Sequence, residues 1–568
     1  MHGLKVEQPT HGAGKSVSFG MAIATAVFVC ATFAACASAT LLAASYVHPQ
    51  LDVAALRGGL WLRVALFVPV GVIAAAAMIV VAAHGRRRGS TRPTVAHDPL
   101  PRLLLRRHFW PALAVAVLPP ALLTFSHLDR YPWAAPDEMH HLNVAKNLAE
   151  HGRYASGGPA EGFVDFDPFD SVGPPVIVPV AAVFRLTGVS LAGGRVVVGL
   201  YLMALLVLIF VAFAHEDSLW AATCASLFAY MSFSTLYLGR TVYGEVPAMA
   251  WLLLGLLLWR RAWHPDRAAW WALGAGLAFG LAVLCKTIFL LTAFPLFGMA
   301  LARWLLSGRF RLTALMLPPL GIAITVGAWW CVQAMLRHDV ADSAGSTLGI
   351  YQHYLLFGIK PMWRNLRSFA AYPAMNLVAA YTLVVFASVA FSRGGSVVVP
   401  GLLLTSVFFF FWWIFFTPGQ LPRYQWPGYV PLGMMSGMIF AYMARALLRG
   451  RKISSRATAL AAASLVAFPY VLWVTGQGRE VLFNREMEAD HALARHIAAL
   501  PLECEVGTTY YPLRGTLRFL ADRNIVVADG DDVHCDVIIE RPEPGGPVKG
   551  EQFGPYVVRN LTTMTEVE

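Results

Sequence analysis

A chain of 568 residues that is 57% hydrophobic and only 14% charged, with a mean hydropathy of +0.57, is too apolar for an ordinary soluble protein. Its formal charge of +11 does not point to nucleic acid, because the arginines cluster in short loops between apolar runs, as in the cytoplasmic loops of membrane proteins. Cys30, Cys36, Cys224, Cys285 and Cys331 fall within apolar runs without metal-site spacing, which argues against a zinc centre.

Apolar runs approaching the length of a bilayer crossing, about 17–25 residues, begin at Phe19 to Ala44 and Leu60 to Ala83. They continue at Phe109 to Ser126, Arg195 to Ala214, Leu219 to Leu236, Val246 to Trp259, Trp270 to Cys285, Thr287 to Trp304 and Leu312 to Met335. The last four are Tyr372 to Phe391, Val397 to Phe416, Trp426 to Tyr442 and Ala457 to Thr475. The expectation is a polytopic α-helical membrane protein of about thirteen spans. The first run is too long for a signal-peptide core and is read as a helix. Arg86, Arg87, Arg88, Arg92, Arg102, Arg106 and Arg107 place the loop before Phe109 in the cytoplasm, with the N-terminus. Counting from there puts residues 127–194, Gly239 to Glu245, Arg337 to Ala371, Thr417 to Gln425 and everything after Gly476 outside. The parity closes if Pro174 to Gly188 is a helix on the outer surface and not a span.

The stretch PDEMHHLNVAKNLAEHGRY, Pro136 to Tyr154, is unusually polar for this chain. Pro136 suits the first helical turn, Asp137 and Glu138 suit the positive end of the dipole, and Gly152 suits the stop. Met139, Leu142, Ala145 and Ala149 supply one apolar face, so an amphipathic helix on the outer membrane surface is expected. After Gly476 the composition changes. REMEADHALARHIAAL and RGTLRFLAD read as helices, and CEVGTTYY, RNIVVAD, CDVIIE and PYVVRN as strands, giving a small C-terminal α/β domain over 476–568. Its Cys504 and Cys535 are read equally as a disulfide or as two thiols.

The order of motifs resembles the membrane-embedded GT-C glycosyltransferases that use polyprenyl-phosphate sugars, the superfamily of protein O-mannosyltransferases and the lipid A aminoarabinose transferase. The resemblance is carried by Asp137-Glu138 in the first large outside loop and by Gly173 to Pro175 before a short helix. It continues in Arg195 opening a span, Arg240 followed by Glu245-x-Pro247, GLAFGLAVLCK ending in Lys286, and PRYQWPGYVP around Arg423 and Tyr424. The family often has Lys before Pro-Pro, where this chain has Gly173. The resemblance implies a GT-C-like catalytic module over 109–475, preceded by a tail, hairpin and basic loop over 1–108. It also implies a site on the outer face of a bacterial inner membrane, with the C-terminal domain periplasmic. The Arg-rich, Lys-poor usage is in keeping with a GC-rich bacterium.

Moving a sugar from a polyprenyl phosphate to a hydroxyl of a cell-envelope acceptor needs a base at the acceptor and cations at the departing phosphate. Asp137 is the candidate base, with Glu138 as its orienting partner or a ligand of a divalent ion. Arg240, Lys286 and Arg423, at outer helix ends, are candidates for the lipid phosphate, with Tyr424 beside them. Glu245, Arg195 and His353, the last in a long lid-like loop, are further substrate-site candidates. Asp165 and Asp167 offer a weaker, metal-binding Asp-x-Asp arrangement. His140 and His141, adjacent on a helix, do not share a face and so do not bind one ion together. The rival reading is a transporter or flippase of lipid-linked glycans, for which repeated halves and mid-membrane charges would be expected. A structural subunit would leave the acidic helix unexplained.

Overall fold

The computed structural model describes most of residues 104–336, residues 363–366 and most of residues 398–560. The expected spans Phe19 to Ala44, Leu60 to Ala83 and Tyr372 to Phe391 lie outside the described residues, as does His353. The elements that position the site are α1 (Phe109–Phe125), α2 (Pro136–His151), a hairpin of β1 (Ala155–Gly158) and β2 (Gly162–Asp165), α3 (Pro174–Thr187), α4 (Leu191–Glu216) and α5 (Leu219–Tyr230). They are followed by α6 (Glu245–Ala262), α7 (Ala268–Cys285), α8 (Leu312–Leu336), α9 (Val398–Phe416), α10 (Trp426–Arg449) and α11 (Ile453–Phe483). Among the described residues, Leu191–His215 and Thr313–Gln333 are long and apolar enough to cross a membrane.

Small residues let the helix backbones approach closely, the device by which apolar helices associate where hydrophobic burial alone does not discriminate. A Cβ on Gly437 of α10 would stand 2.2 Å from the Cys224 carbonyl oxygen of α5. One on Gly276 of α7 would stand 2.3 Å from the Pro318 carbonyl oxygen of α8. Helix α4 packs against α1, α3, α5 and α6, and so forms the centre from which the connecting loops are hung.

Two buried arginines hold those loops. Arg195, in the first turns of α4, donates from Nε and Nη2 to the two oxygens of Glu138 at 2.9 and 2.7 Å, from Nη1 to Leu128 O at 2.7 Å and from Nη2 to Pro132 O at 2.8 Å. Arg240 donates to the carbonyls of Leu123, Thr124, His127 and Tyr131 over 2.6–3.3 Å. Both side chains are fully buried. The segment between α1 and α2 has no regular structure of its own, and its carbonyls find these guanidinium groups instead.

Residues 486–560 form a mixed sheet in the order β4-β3-β5-β7-β6. Its elements are α12 (Glu486–Ala499), β3 (Val506–Thr508), α13 (Tyr511–Ala521), β4 (Ile525–Val527), β5 (Val537–Glu540), β6 (Glu551–Phe553) and β7 (Tyr556–Asn560). Strand β3 runs parallel to β4 and β5, and β7 antiparallel to β5 and β6. Leu493, Ile497, Leu513, Leu517, Ile525 and Ile539 are among its core residues. Cys504 and Cys535 are both free thiols.

This sheet unit is seated on α2. Lys146 is ion-paired to Asp522, Trp133 Nε1 donates to Asp490 at 3.1 Å, and a Cβ on Gly515 would lie 3.3 Å from Met139 Cβ. Helix α2 is therefore enclosed, with Lys146 and Asn147 buried beside the apolar residues, whereas its sequence suggested a helix with one open face. Three other expectations change. The run to Leu236 stops at Tyr230, because Ser232 and Thr235 hydroxyls bond back to the Phe228 and Ala229 carbonyls and Ser234 takes φ +58°. The run from Thr287 opens as a 3-10 turn. Helix α11 continues past the composition change at Gly476 to Phe483.

Removing one partner of a buried ion pair strands the other's charge, at a cost of about 3–5 kcal/mol. Arg195→Met should therefore lower the thermal unfolding midpoint of the purified protein strongly. The double replacement Arg195→Met with Glu138→Met should recover part of the loss, and no recovery would show that the charge left on Glu138 is not the cause.

Candidate active site

Helix α2 begins with Pro136 at its first position, carries Asp137 and Glu138 in the first turn and ends on Gly152 at φ 68°, whose N–H returns to the Asn147 carbonyl. Successive residues are about 100° apart around a helix. Burying Glu138 and His141 on one side therefore leaves Asp137 half-exposed and His140 partly covered.

Glu138 is not available to orient Asp137 or to bind an ion. Both of its oxygens are taken by Arg195, and Oε1 also accepts the Val242 N–H at 2.9 Å. One turn on, His141 Nδ1 lies 2.8 Å from the Val242 carbonyl, which only accepts, so Nδ1 carries the proton. Burial, then the charges of Lys286 and His140, hold His141 well below the usual histidine range, so it is neutral at pH 7. Val242 is thus clamped at both its N–H and its carbonyl by α2, and this delivers Tyr243, Gly244 and Glu245 to the site.

Asp137 meets Arg423 in an ion pair. Arg423 leads into α10 from a 3-10 turn (Pro422–Tyr424), and its guanidinium lies 4.8 Å from the Tyr243 ring centroid and 5.2 Å from that of Tyr424. Burial would raise the Asp137 carboxyl, but the charge and hydrogen bond of Arg423, with the charge of Lys286, outweigh it and hold it below its ordinary 3.8. Burial would lower Arg423, and the neighbouring Glu245, Tyr424, Tyr243 and Asp137 raise it instead. Asp137 is accordingly ionised at neutral pH, and whatever the pair contributes to stability is present there and lost only as pH falls below 3.8.

Lys286 ends the α7 segment and is 3% exposed, with Nζ 3.8 Å from Oε1 of the fully buried Glu245. Two glycines make this approach possible. A Cβ on Gly244 would stand 2.0 Å from the Cys285 carbonyl oxygen and 3.2 Å from Lys286 Cβ. Gly173 donates its N–H to the Leu284 carbonyl at 2.9 Å, and a Cβ there would stand 2.3 Å from that oxygen. The Gly173 backbone is pressed so tightly against the end of α7 that a side chain here has no room for its first atom.

Asp137, Arg423, Tyr424, Lys286 and Glu245, five of the residues singled out in the sequence, therefore come together. Arg195 and Arg240 do not face the site. Arg240 is committed through all three guanidinium nitrogens to backbone carbonyls and is closed to a phosphate. Asp165 is paired with Arg153 at the surface, and Asp167 accepts from Ser156 Oγ at 2.6 Å. Among the described residues no three metal-ligating side chains converge, and Glu138, with both oxygens bonded to Arg195, does not join the two aspartates as an ion site. Sequence reasoning passed over Tyr243, Gly244 and the anchoring role of His141. The tripeptide Tyr-Gly-Glu before Pro247 was the available signal, since a glycine beside an acid at a helix start marks a close backbone approach.

Gly244→Ala should displace Lys286 from Glu245 and depress folded yield or thermal stability, and Gly173→Lys should do the same despite restoring the commoner residue. A stable, fully folded Gly173→Lys protein would show that the contact with Leu284 is not restrictive.

No protein-family model and no curated protein matches this chain. Solved structures do. The crystal structure of ArnT from Cupriavidus metallidurans bound to undecaprenyl phosphate aligns with a TM-score of 0.57 at 14% identity, covering 80% of this chain and 98% of that one. The apo form of the same protein aligns at 0.54 and 15% identity, over 76% and 93%. At such identity the likeness is one of architecture, and it extends over nearly the whole of ArnT: this chain has the GT-C fold.

Proposed function

We propose that this protein is a membrane glycosyltransferase that moves a sugar from a polyprenyl-phosphate donor to a hydroxyl of a cell-envelope acceptor on the outer face of a bacterial inner membrane. The observation that carries the reading is the convergence of Asp137, Arg423, Lys286 and Glu245 from four separate parts of the chain. It is supported by a fold shared with a protein crystallised with undecaprenyl phosphate. A lone acid at a helix start is usually just a favourable partner for the dipole. An acid held against a cation stacked on two aromatic rings, with a second ion pair beside it, is a site built to manage charge.

The reaction is a single displacement with inversion at the anomeric carbon. Asp137 accepts the proton of the acceptor hydroxyl as its oxygen bonds to that carbon, and the bond from the carbon to the phosphate oxygen breaks with its electron pair staying on the phosphate. Arg423 and Lys286 meet the charge that grows on the leaving phosphate, where their contribution is larger in the transition state than in the ground state. Asp137 is bound by Arg423 at rest, so a phosphate that draws the guanidinium to itself also uncovers the base. Residues 486–560, seated on α2, lie outside the membrane in this reading and keep the acidic helix in place.

Asp137→Asn keeps the shape and removes the base. Turnover of a polyprenyl-phosphate sugar by the purified variant should fall about a hundredfold or more, with unfolding temperature little changed. Near wild-type turnover would take Asp137 out of the mechanism. Arg423→Lys keeps the charge but loses paired hydrogen bonds and ring stacking, so its turnover should lie between wild type and Arg423→Ala. Normal turnover by Arg423→Ala at equal protein would transfer the phosphate role to Lys286.

A further inference from the structure

Glu245 is the least explained group in the site. Its side chain is fully buried, yet neither Oε1 nor Oε2 receives a hydrogen bond from any described residue. Lys286 Nζ, at 3.8 Å, is close enough for charge attraction and too far for a hydrogen bond. A carboxylate can accept about four hydrogen bonds, and leaving one buried without donors is costly. Its position at the first residue of α6 helps through the helix dipole, and Lys286 supplies a counter-charge, but neither fills the empty acceptor capacity.

The surroundings limit what could fill it. Lys286 pairs with Glu245 and its charge also acts on Asp137, while Arg423 is bound to Asp137 and feels the charge of Glu245. The four groups thus alternate in sign, each acid set between cations. A phosphate lying on the two cations cannot serve Glu245, because it is itself an acceptor and an anion. The acceptor hydroxyl is matched to Asp137, the acid that is half-exposed. What remains is the part of the donor joined directly to the phosphate, the sugar, whose hydroxyls are hydrogen-bond donors.

We infer that Glu245 is a sugar-recognition residue, its buried carboxylate accepting hydrogen bonds from one or more hydroxyl groups of the polyprenyl-phosphate sugar. The inference rests on the glycosyltransferase reading and names the residue that distinguishes a loaded lipid carrier from a bare one. A donor whose sugar is deoxygenated or acylated at the hydroxyl facing Glu245 is rejected, since a buried acceptor without its donor discriminates strongly.

The test measures binding to the purified full-length protein of undecaprenyl phosphate and of undecaprenyl-phosphate glucose, mannose and arabinose. Wild type should bind at least one sugar-bearing lipid more tightly than undecaprenyl phosphate. Glu245→Gln should weaken that lipid about tenfold or more relative to undecaprenyl phosphate on the same variant, the scale of one charge-assisted hydrogen bond, a comparison in which any change of charge around Lys286 acts on both lipids. Equal weakening of both ligands would mean that Glu245 serves only as the counter-charge of Lys286, and the inference would fall. So would it if Glu245→Gln kept the preference for the sugar, or if wild type showed none. Wild type that binds no undecaprenyl phosphate would instead overturn the functional reading beneath it. Should Glu245→Gln not fold, Glu245→Asp retains the counter-charge on a side chain one carbon shorter. It should lose the sugar preference and keep undecaprenyl phosphate binding.

Discussion

The buried ion pair between Arg195 and Glu138 is the constraint on which the site depends. It ties the start of α4 to the start of α2, and through the second bond of Glu138 it reaches the Val242 N–H on a third segment. Because Glu138 must point inward to meet Arg195, Asp137 is turned about 100° away from it by the geometry of the helix. Because Val242 is held at its N–H by Glu138 and at its carbonyl by His141, Glu245 follows three residues later at a set place. From there Gly244 lets the chain lie directly against Cys285 and Lys286. The geometry around Asp137 and Glu245 is thus inherited from a pair of charges that lie behind it.

A buried pair of this kind contributes less to stability than its Coulomb energy suggests, since both ions lose their hydration. What it supplies here is position. Arg195 also gathers the Leu128 and Pro132 carbonyls, and Arg240 gathers those of Leu123, Thr124, His127 and Tyr131. The irregular segment between α1 and α2 therefore has its polar backbone satisfied from inside. Its outer side meets α12 and α13 through Trp133, Ala134 and the Lys146–Asp522 pair on α2. The cations nearest the site are arranged differently: Arg423 is ion-paired with Asp137 and Lys286 faces Glu245.

Much of this architecture was legible in the linear chain. The composition required an apolar helical bundle, Pro136 and Gly152 marked the ends of α2 by their backbone preferences, and alternation of apolar residues marked β3, β4, β5 and β7. Asp137, Lys286, Arg423 and Glu245 announced themselves because ionisable residues are rare beside long apolar runs and sit there for a reason. The short strands β1, β2 and β6 were missed, since three or four residues with little alternation carry almost no periodic signal.

The sequence by itself determined which residue types stood at the ends of the helices, because those preferences are local: a dipole, a fixed φ, a free φ, a span of hydrocarbon. It did not separate arginines that hold backbone from arginines that face the site. Arg195, Arg240 and Arg423 all precede or open apolar helices and look alike in the chain. Their fates were decided by carbonyl groups and ring faces contributed from distant segments, and a carbonyl is the same at every residue. The tertiary structure alone also decided that position 173 has no room for a side chain, because the oxygen that excludes one there belongs to Leu284, more than a hundred residues away.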